Sequence, residues 1–256
     1  MKDIFKSDKV KDLSNSLLKE IVYKNSTNDV VTLANVDGDI NFIIDNDCEV
    51  NLSILLLPIT NNDKKIFNLN FDLHQHSKLT LNIANLSNVS CDDNITINLI
   101  EEGSSIEFYS STILNKNTEK NSIIKVVHLA KNTTSNIKAY EVLKDTSKGF
   151  IRCISDIRQG SSSSEAHQEL RLLVLDKNAK ANSDPVLLID ENDIVASHAN
   201  AIGMLDPDQI FYLESRGLSK TVAQELIING YFEPVFIGCE NEEIEIYLKE
   251  ILKGMN

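Results

Sequence analysis

The side chain best placed for chemistry is His198, in Ser197-His198-Ala199-Asn200-Ala201-Ile202-Gly203. Its small neighbours would let another surface approach closely, although on this context alone a structural histidine is the better reading. His74 and His76 stand two apart, which on a continuous strand puts both on one face at a metal-compatible spacing. No third ligand accompanies them, so solvated turn histidines are the better reading, and His128 and His167 read as ordinary strand or loop residues. Cys48, Cys91, Cys153 and Cys239 are widely spaced with no CxxC pair, which indicates neither a zinc site nor a redox dithiol; in a reducing compartment they are plain thiols. The chain has no GxxxxGK phosphate loop, no GxSxG elbow and no HExxH helix. Gly160-Ser161-Ser162-Ser163-Ser164 reads as a flexible turn, and acidic pairs such as Asp92-Asp93 and Glu101-Glu102 as solvent-facing charges.

The elements that must position His198 change character around it. From Val30 to Val195 the chain consists of short runs rich in Ile, Leu, Val, Thr and Phe, separated by turn groups such as Asp45-Asn46-Asp47, Glu102-Gly103-Ser104 and Asp145 to Gly149. Strict alternation in Asn68-Leu69-Asn70-Phe71-Asp72-Leu73 and Lys78-Leu79-Thr80-Leu81-Asn82-Ile83 buries one strand face and wets the other. Strands at this spacing without intervening helices exclude a doubly wound α/β fold. They leave a sandwich, a barrel or a β-solenoid, and no fixed repeat chooses among them.

Helical signals frame this β region. Val10, Leu13, Leu17, Leu18 and Ile21 have helical spacing and predict a short N-terminal helix over 9–23. After the β region, Asp206 is a good N-cap, Pro207 suits the first helical position, and Gly217 is a left-handed stop behind Phe211-Tyr212-Leu213-Glu214-Ser215-Arg216. A second helix opens at Leu218-Ser219, carries Val222, Ala223, Leu226 and Ile227 on one stripe, and ends at Asn229-Gly230. A third places Ile244, Tyr247, Leu248, Ile251 and Leu252 on one face. The expected division is a helical segment over 1–29, a β core over 30–203 and a helical domain over 204–256. The aromatic content of the last part raises the question of how much of it three short helices hide from water, and whether some serves as a docking patch.

With 25 Lys and Arg against 38 Asp and Glu, the net charge is −13, which argues against nucleic acid or an anionic membrane surface as partner. No apolar h-region follows Met1 and no run approaches a membrane span, so a soluble, cytoplasmic protein is expected.

The stretch HQELRLLVLDKNAKANSDPVLLIDENDIVASHANAIGMLDPDQIFYLESRGLS, continued by Ala223 and Leu226-Ile227-Ile228-Asn229-Gly230-Tyr231-Phe232, resembles the C-terminal part of the SufB/SufD family of iron-sulfur cluster assembly proteins. The resemblance covers roughly Gln168 to Phe236 and implies a right-handed parallel β-helix core. B-type members carry Asp-Lys-Cys where this chain has Asp176-Lys177-Asn178, and D-type members carry SHGAT where it has Ser197-His198-Ala199-Asn200-Ala201. Asparagine cannot replace a thiolate as a soft ligand, so the resemblance is closest to SufD.

What the resemblance implies is a non-catalytic scaffold subunit. It would pair with a cysteine-bearing SufB-like subunit, or with itself, through Ser197, Ala199 and Asn200. His198 would lie at the cluster interface, and a SufC-like ABC ATPase would dock on Phe211, Tyr212, Arg216, Gly217, Ile227 and Phe232. No cofactor would be held stably by this chain alone, while a transient iron-sulfur cluster would form between the subunits. Ala199-Asn200-Ala201 departs from the D-type glycine-alanine-threonine, Ala196 stands where a cysteine is frequent, and the chain is short for the family, which suggests a trimmed N-terminal region or β-helix. Two other classes are a metal-free structural β-solenoid and a polysaccharide-processing β-helix enzyme. The enzyme would need convergent carboxylates that the sequence does not display.

Overall fold

The computed structural model describes residues 10–13, 20–33, 38–57, 64–238 and 242–255. Fifteen strands follow one another among these residues. They are β1 (Val10–Asp12), β2 (Glu20–Tyr23), β3 (Thr27–Leu33), β4 (Gly38–Ile44), β5 (Glu49–Leu56), β6 (Lys65–Leu73), β7 (Lys78–Asn85), β8 (Cys91–Leu99), β9 (Ser105–Leu114), β10 (Glu119–His128), β11 (Thr134–Leu143), β12 (Lys148–Ile157), β13 (Ser164–Val174), β14 (Lys180–Ile189) and β15 (Ile194–Gly203). Odd strands form one eight-stranded sheet and even strands a seven-stranded sheet, each stacked in sequence order. Every pairing is parallel, as in β10 on β12, where Glu119 meets Lys148 and His128 meets Ile157. Strands that alternate between two sheets while pairing only within each make a parallel β-solenoid. The sandwich left open by the pattern is thereby ruled out.

The coil length explains why no repeat is legible. Asn68 donates to Asp39 across 29 residues, Asn94 to Asn68 across 26, and the Thr133 and Ser164 hydroxyls meet across 31. The corners absorb these differences while the strands stay in register. At one corner Ser77 Oγ, Ser104 Oγ and Thr133 Oγ1 each donate to the carbonyl three residues before. Asp47, His76, Gly103 and Asn132 in the same corner have positive φ. These are chemically different residues performing one task, so a search for identity misses them. On the outer faces, asparagine and acidic side chains are linked coil to coil, as in Asn70 to Asn41, Asn98 to Asp72 and Asn136 to Glu107. Such ladders give the abundant asparagine a structural use.

The lumen holds the main core, filled by inward residues of both sheets including Ile44, Leu52, Phe71, Leu81, Ile97, Phe108, Ile124 and Leu170. Phe42 and Phe71 stack at 4.7 Å in adjacent coils. One charged group lies within it: Lys120 Nζ stands 3.0 Å from Glu141 Oε1 and 3.3 Å from Asp93 Oδ2, all buried. Burial works against the Lys120 charge, but Asp93 and Glu141 outweigh it and hold the ammonium protonated. Glu141 Oε2 occupies the niche beside Gly149, where an added Cβ would fall 2.2 Å from it.

A second core lies on the outside of the eight-stranded sheet. Leu55, Ala84, Ile113, Val142 and Leu173 on the strands pack against Ile228, Phe232, Val235, Phe236, Ile244, Leu248 and Leu252. The latter come from helices α2 (Lys220–Gly238) and α3 (Glu242–Met255), preceded by α1 (Pro207–Ser215). Asp206 caps α1 by accepting from the Asp208 N–H at 2.9 Å, and Gly217 at φ +93° closes it with an N–H bond to the Glu214 carbonyl.

Three expectations are corrected. Asp93, read from sequence as a solvent-facing charge, is buried beside Lys120. The described part of the N-terminal segment is not helical: Val10–Asp12 pairs with Val30–Thr32, and Glu20–Tyr23 pairs with Asn41–Ile44. Leu13 and Tyr23 are buried in the lumen core, so pairing with the next coil overrides local periodicity at these positions; Leu17 and Leu18 of the predicted helix lie outside the described residues. Helix α2 also does not stop at Asn229-Gly230. It runs on to Gly238, because burying Phe232, Val235 and Phe236 offsets the roughly 1 kcal/mol that an interior glycine costs.

Candidate functional site

The site is the last coil. β14 pairs only with β12 and β15 only with β13, so both sheets end there with a free edge among the described residues. From β5 to β12 the inward residues are buried, whereas no residue of β14 or β15 is. Leu188, Ile189, Val195 and Ile202 are about half exposed, and Met204 is 71% exposed. An uncovered apolar coil with unpaired backbone groups is the edge that soluble β-proteins ordinarily cover or blunt.

His198 stands in this coil, in register with Gln168 of β13 and exposed. Ala166, Gln168, Leu170 and Leu172 face the lumen and are buried, and the parallel register gives Ala196, His198, Asn200 and Ile202 the same facing one coil further. His198 is therefore an inward residue left uncovered by the end of the stack. Across the mouth, Ser183 Oγ donates to Asn200 Oδ1 at 2.7 Å. Ser197 and Ala199 point outward, and Ser197 Oγ lies 2.7 Å from His167 Nδ1. Asn178 sits exposed at the corner leading into β14. Asn178, Ser197, His198, Ala199 and Asn200 thus all belong to one terminal coil, as their sequence context suggested.

The other titratable groups lie elsewhere. His74 follows β6 with Nδ1 3.4 Å from Glu101 Oε1, and His76 is a turn residue at φ +53°, so the strand face imagined for the pair does not exist. His128 is fully buried, its Nδ1 2.8 Å from Thr133 Oγ1 and its Nε2 2.9 Å from Ser135 Oγ; burial lowers its pKa to about 4 against a smaller opposing effect of Asp156. Cys91 and Cys153 are buried thiols pushed up to about 12, chiefly by desolvation, far from the thiolate form a metal needs. Cys239 lies outside the described residues. No cluster of three or more His, Cys, Asp or Glu side chains suited to a metal ion occurs among the described residues, and none of their helices is long and apolar enough to cross a membrane.

The docking residues read from sequence divide into two sets. Phe211 is 72% and Tyr212 55% exposed, with the Arg216 guanidinium over the Tyr212 ring at 5.2 Å, and Val222 and Leu226 are also exposed. Gly217 is exposed and Ile227 half-buried. Phe232 is a correction: it is fully buried and stacked with Phe236 at 6.2 Å, so it fastens α2 to the sheet and is out of reach of a partner. Gln168 was not singled out from the sequence. Its side chain crosses the lumen beneath His198, and only the unreadable coil period would have connected the two positions.

The SufBD core domain of the SUF system for FeS cluster assembly matches residues 4–231 of the chain. Similar curated proteins include the iron-sulfur cluster assembly protein SufD of Bacillus subtilis (strain 168), 34% identical over 158 residues, which is 62% of this chain and 36% of that protein. A SufBD family protein of Mycobacterium leprae (strain TN) is 29% identical over 43% of the chain and 13% of its own length. One from Staphylococcus saprophyticus is 28% identical over 53% and 29%. The matches thus span about a third or less of these relatives' lengths. The family match spans both the solenoid and the residues of its open end, and the chain belongs to the SufB/SufD family of iron-sulfur cluster assembly proteins, as a homologue of SufD.

Proposed function

We propose that the chain is a non-catalytic scaffold subunit on which iron-sulfur clusters are assembled, working in the cytoplasm. The observation that carries this reading is the open last coil, which presents two free parallel edges, exposed apolar side chains and His198 at the centre of the mouth. A second solenoid of the same family adding its terminal strands would satisfy those edges by β-augmentation. It would also enclose His198 in a low-dielectric seam, where an imidazole nitrogen can hold iron of a nascent cluster. This chain has Asn178 where a thiolate would stand, so the soft ligand comes from a SufB-like, cysteine-bearing partner. Iron and sulfide are cargo in this scheme, held between subunits and passed on.

The exposed Phe211, Tyr212, Arg216, Val222 and Leu226 surface receives a SufC-like ABC ATPase, whose nucleotide-driven movement reaches the solenoid through α2. The test is co-purification of the chain with a SufB-like subunit and a SufC-like ATPase under native conditions. A stable complex that loads iron and sulfide, and loses loading in His198→Ala without disassembling, is the expected result. No association with either partner would overturn the reading, and a homodimer without iron uptake would favour a purely structural role.

A further inference from the structure

Gln168 has one polar atom without a partner, and its identity is fixed by the surroundings. The side-chain nitrogen donates to Ser155 Oγ at 2.8 Å and to the backbone carbonyl of Val186 at 3.1 Å. The carbonyl can only accept, so the amide cannot be turned over without setting two oxygens against each other. Both amide hydrogens are thereby used. Oε1 is left buried and unpartnered, in a residue only 3% exposed. A buried amide oxygen in that state costs about 1–3 kcal/mol unless a donor reaches it. The side chain directly over Gln168 on the same lumen face is His198, about one strand spacing of roughly 4.8 Å away.

We propose that Gln168 is a positioning residue for His198, its Oε1 accepting a hydrogen bond from one imidazole N–H. The other ring nitrogen is then the unprotonated one and is directed to the open mouth, where a metal ion would meet it. The bond calls for a turn of the exposed His198 side chain and for no change in strand register. The amide is itself held from the opposite sheet by Ser155 and Val186, which makes it a rigid acceptor. This is how a ligating histidine is commonly oriented, through its second nitrogen. The inference rests on the reading of His198 as a ligand only for its purpose; the hydrogen bond stands or falls separately.

The experiment uses the full chain labelled with nitrogen-15 in histidine, observed by long-range proton–nitrogen correlation at about pH 8.5, above the ordinary histidine range. Wild type is expected to show His198 as a single tautomer, with one protonated and one unprotonated ring nitrogen. Gln168→Met should move both shifts toward the averaged values of a free imidazole. Averaged shifts in wild type, or identical shifts in wild type and Gln168→Met, would overturn the proposal; the wild-type arm decides even if the methionine variant does not fold. Ferrous iron titrated into the complex with the cysteine-bearing partner gives the second readout, with Gln168→Met expected to weaken binding about 10–100-fold. A tautomer that responds while iron affinity does not would keep the hydrogen bond and remove His198 as a ligand.

Discussion

His128 and Gly149 show how much single residues carry inside a closely packed lumen. The folded pKa of His128 is about 4 against the ordinary 6.5, because burial disfavours the imidazolium. A depressed folded value means that the unfolded chain takes up the proton first. The associated stability is therefore complete above pH 6.5 and is lost as pH falls toward 4, by about 3 kcal/mol in all. Urea unfolding of wild type across this window should show that slope, and His128→Gln should flatten it. Gly149→Ala would drive a methyl into Glu141 Oε2 and crowd Leu143 Cδ2, 3.0 Å away, for an expected loss of about 1–3 kcal/mol. Lys120→Met should cost more, about 3–5 kcal/mol, because Asp93 and Glu141 would remain buried without their cation. Chemical denaturation at neutral pH measures both.

At the scale of elements, Phe232 and Phe211 separate two roles that the sequence blends. Phe232→Ala opens a cavity in the core that joins α2 to the sheet, with an expected cost of about 3–5 kcal/mol. Phe211→Ala removes an exposed ring and should change stability by less than about 0.5 kcal/mol while abolishing ATPase association in a pull-down. The helices themselves were legible because capping is local: Asp206, Pro207 and Gly217 announce α1 within a dozen residues. Which helix face is buried was legible in α3, whose stripe is regular, and not in α2, which is apolar nearly all round. The strands were legible from alternation in runs such as Asn68 to Leu73. Their arrangement was not, because each strand pairs with another some 29 residues away and the corner positions conserve geometry with Ser, Thr, Asp, His, Gly and Asn in turn. The N-terminal coil failed for the same reason, since Leu13 and Tyr23 are explained only by neighbours in other coils. The place of His198 in the last coil was legible from its own context, whereas the place of Gln168 beneath it depends on contacts across the lumen.

Over the whole molecule, the free edges of β14 and β15 predict association that depends on this end alone. Val195 is 56% exposed on the outer side of β15, and Val195→Lys places a charge where a partner strand would lie, a common means of blocking strand addition. Light scattering after size exclusion should show loss of the complex, with thermal unfolding of the isolated chain unchanged. The helical layer bears on the opposite property, endurance. A stack of coils that touch only their neighbours tends to fray from its ends, one coil after another. Here α2 lies across β5, β7 and β9, and Ser111 Oγ of β9 donates to the Tyr231 carbonyl within it. Helix α2 is thus a strut bolted over several coils that precede it in the chain. Those coils can separate only if the strut lifts, so the stack should melt as a block, and an end that must stay exposed for a partner can do so without the coils behind it unravelling.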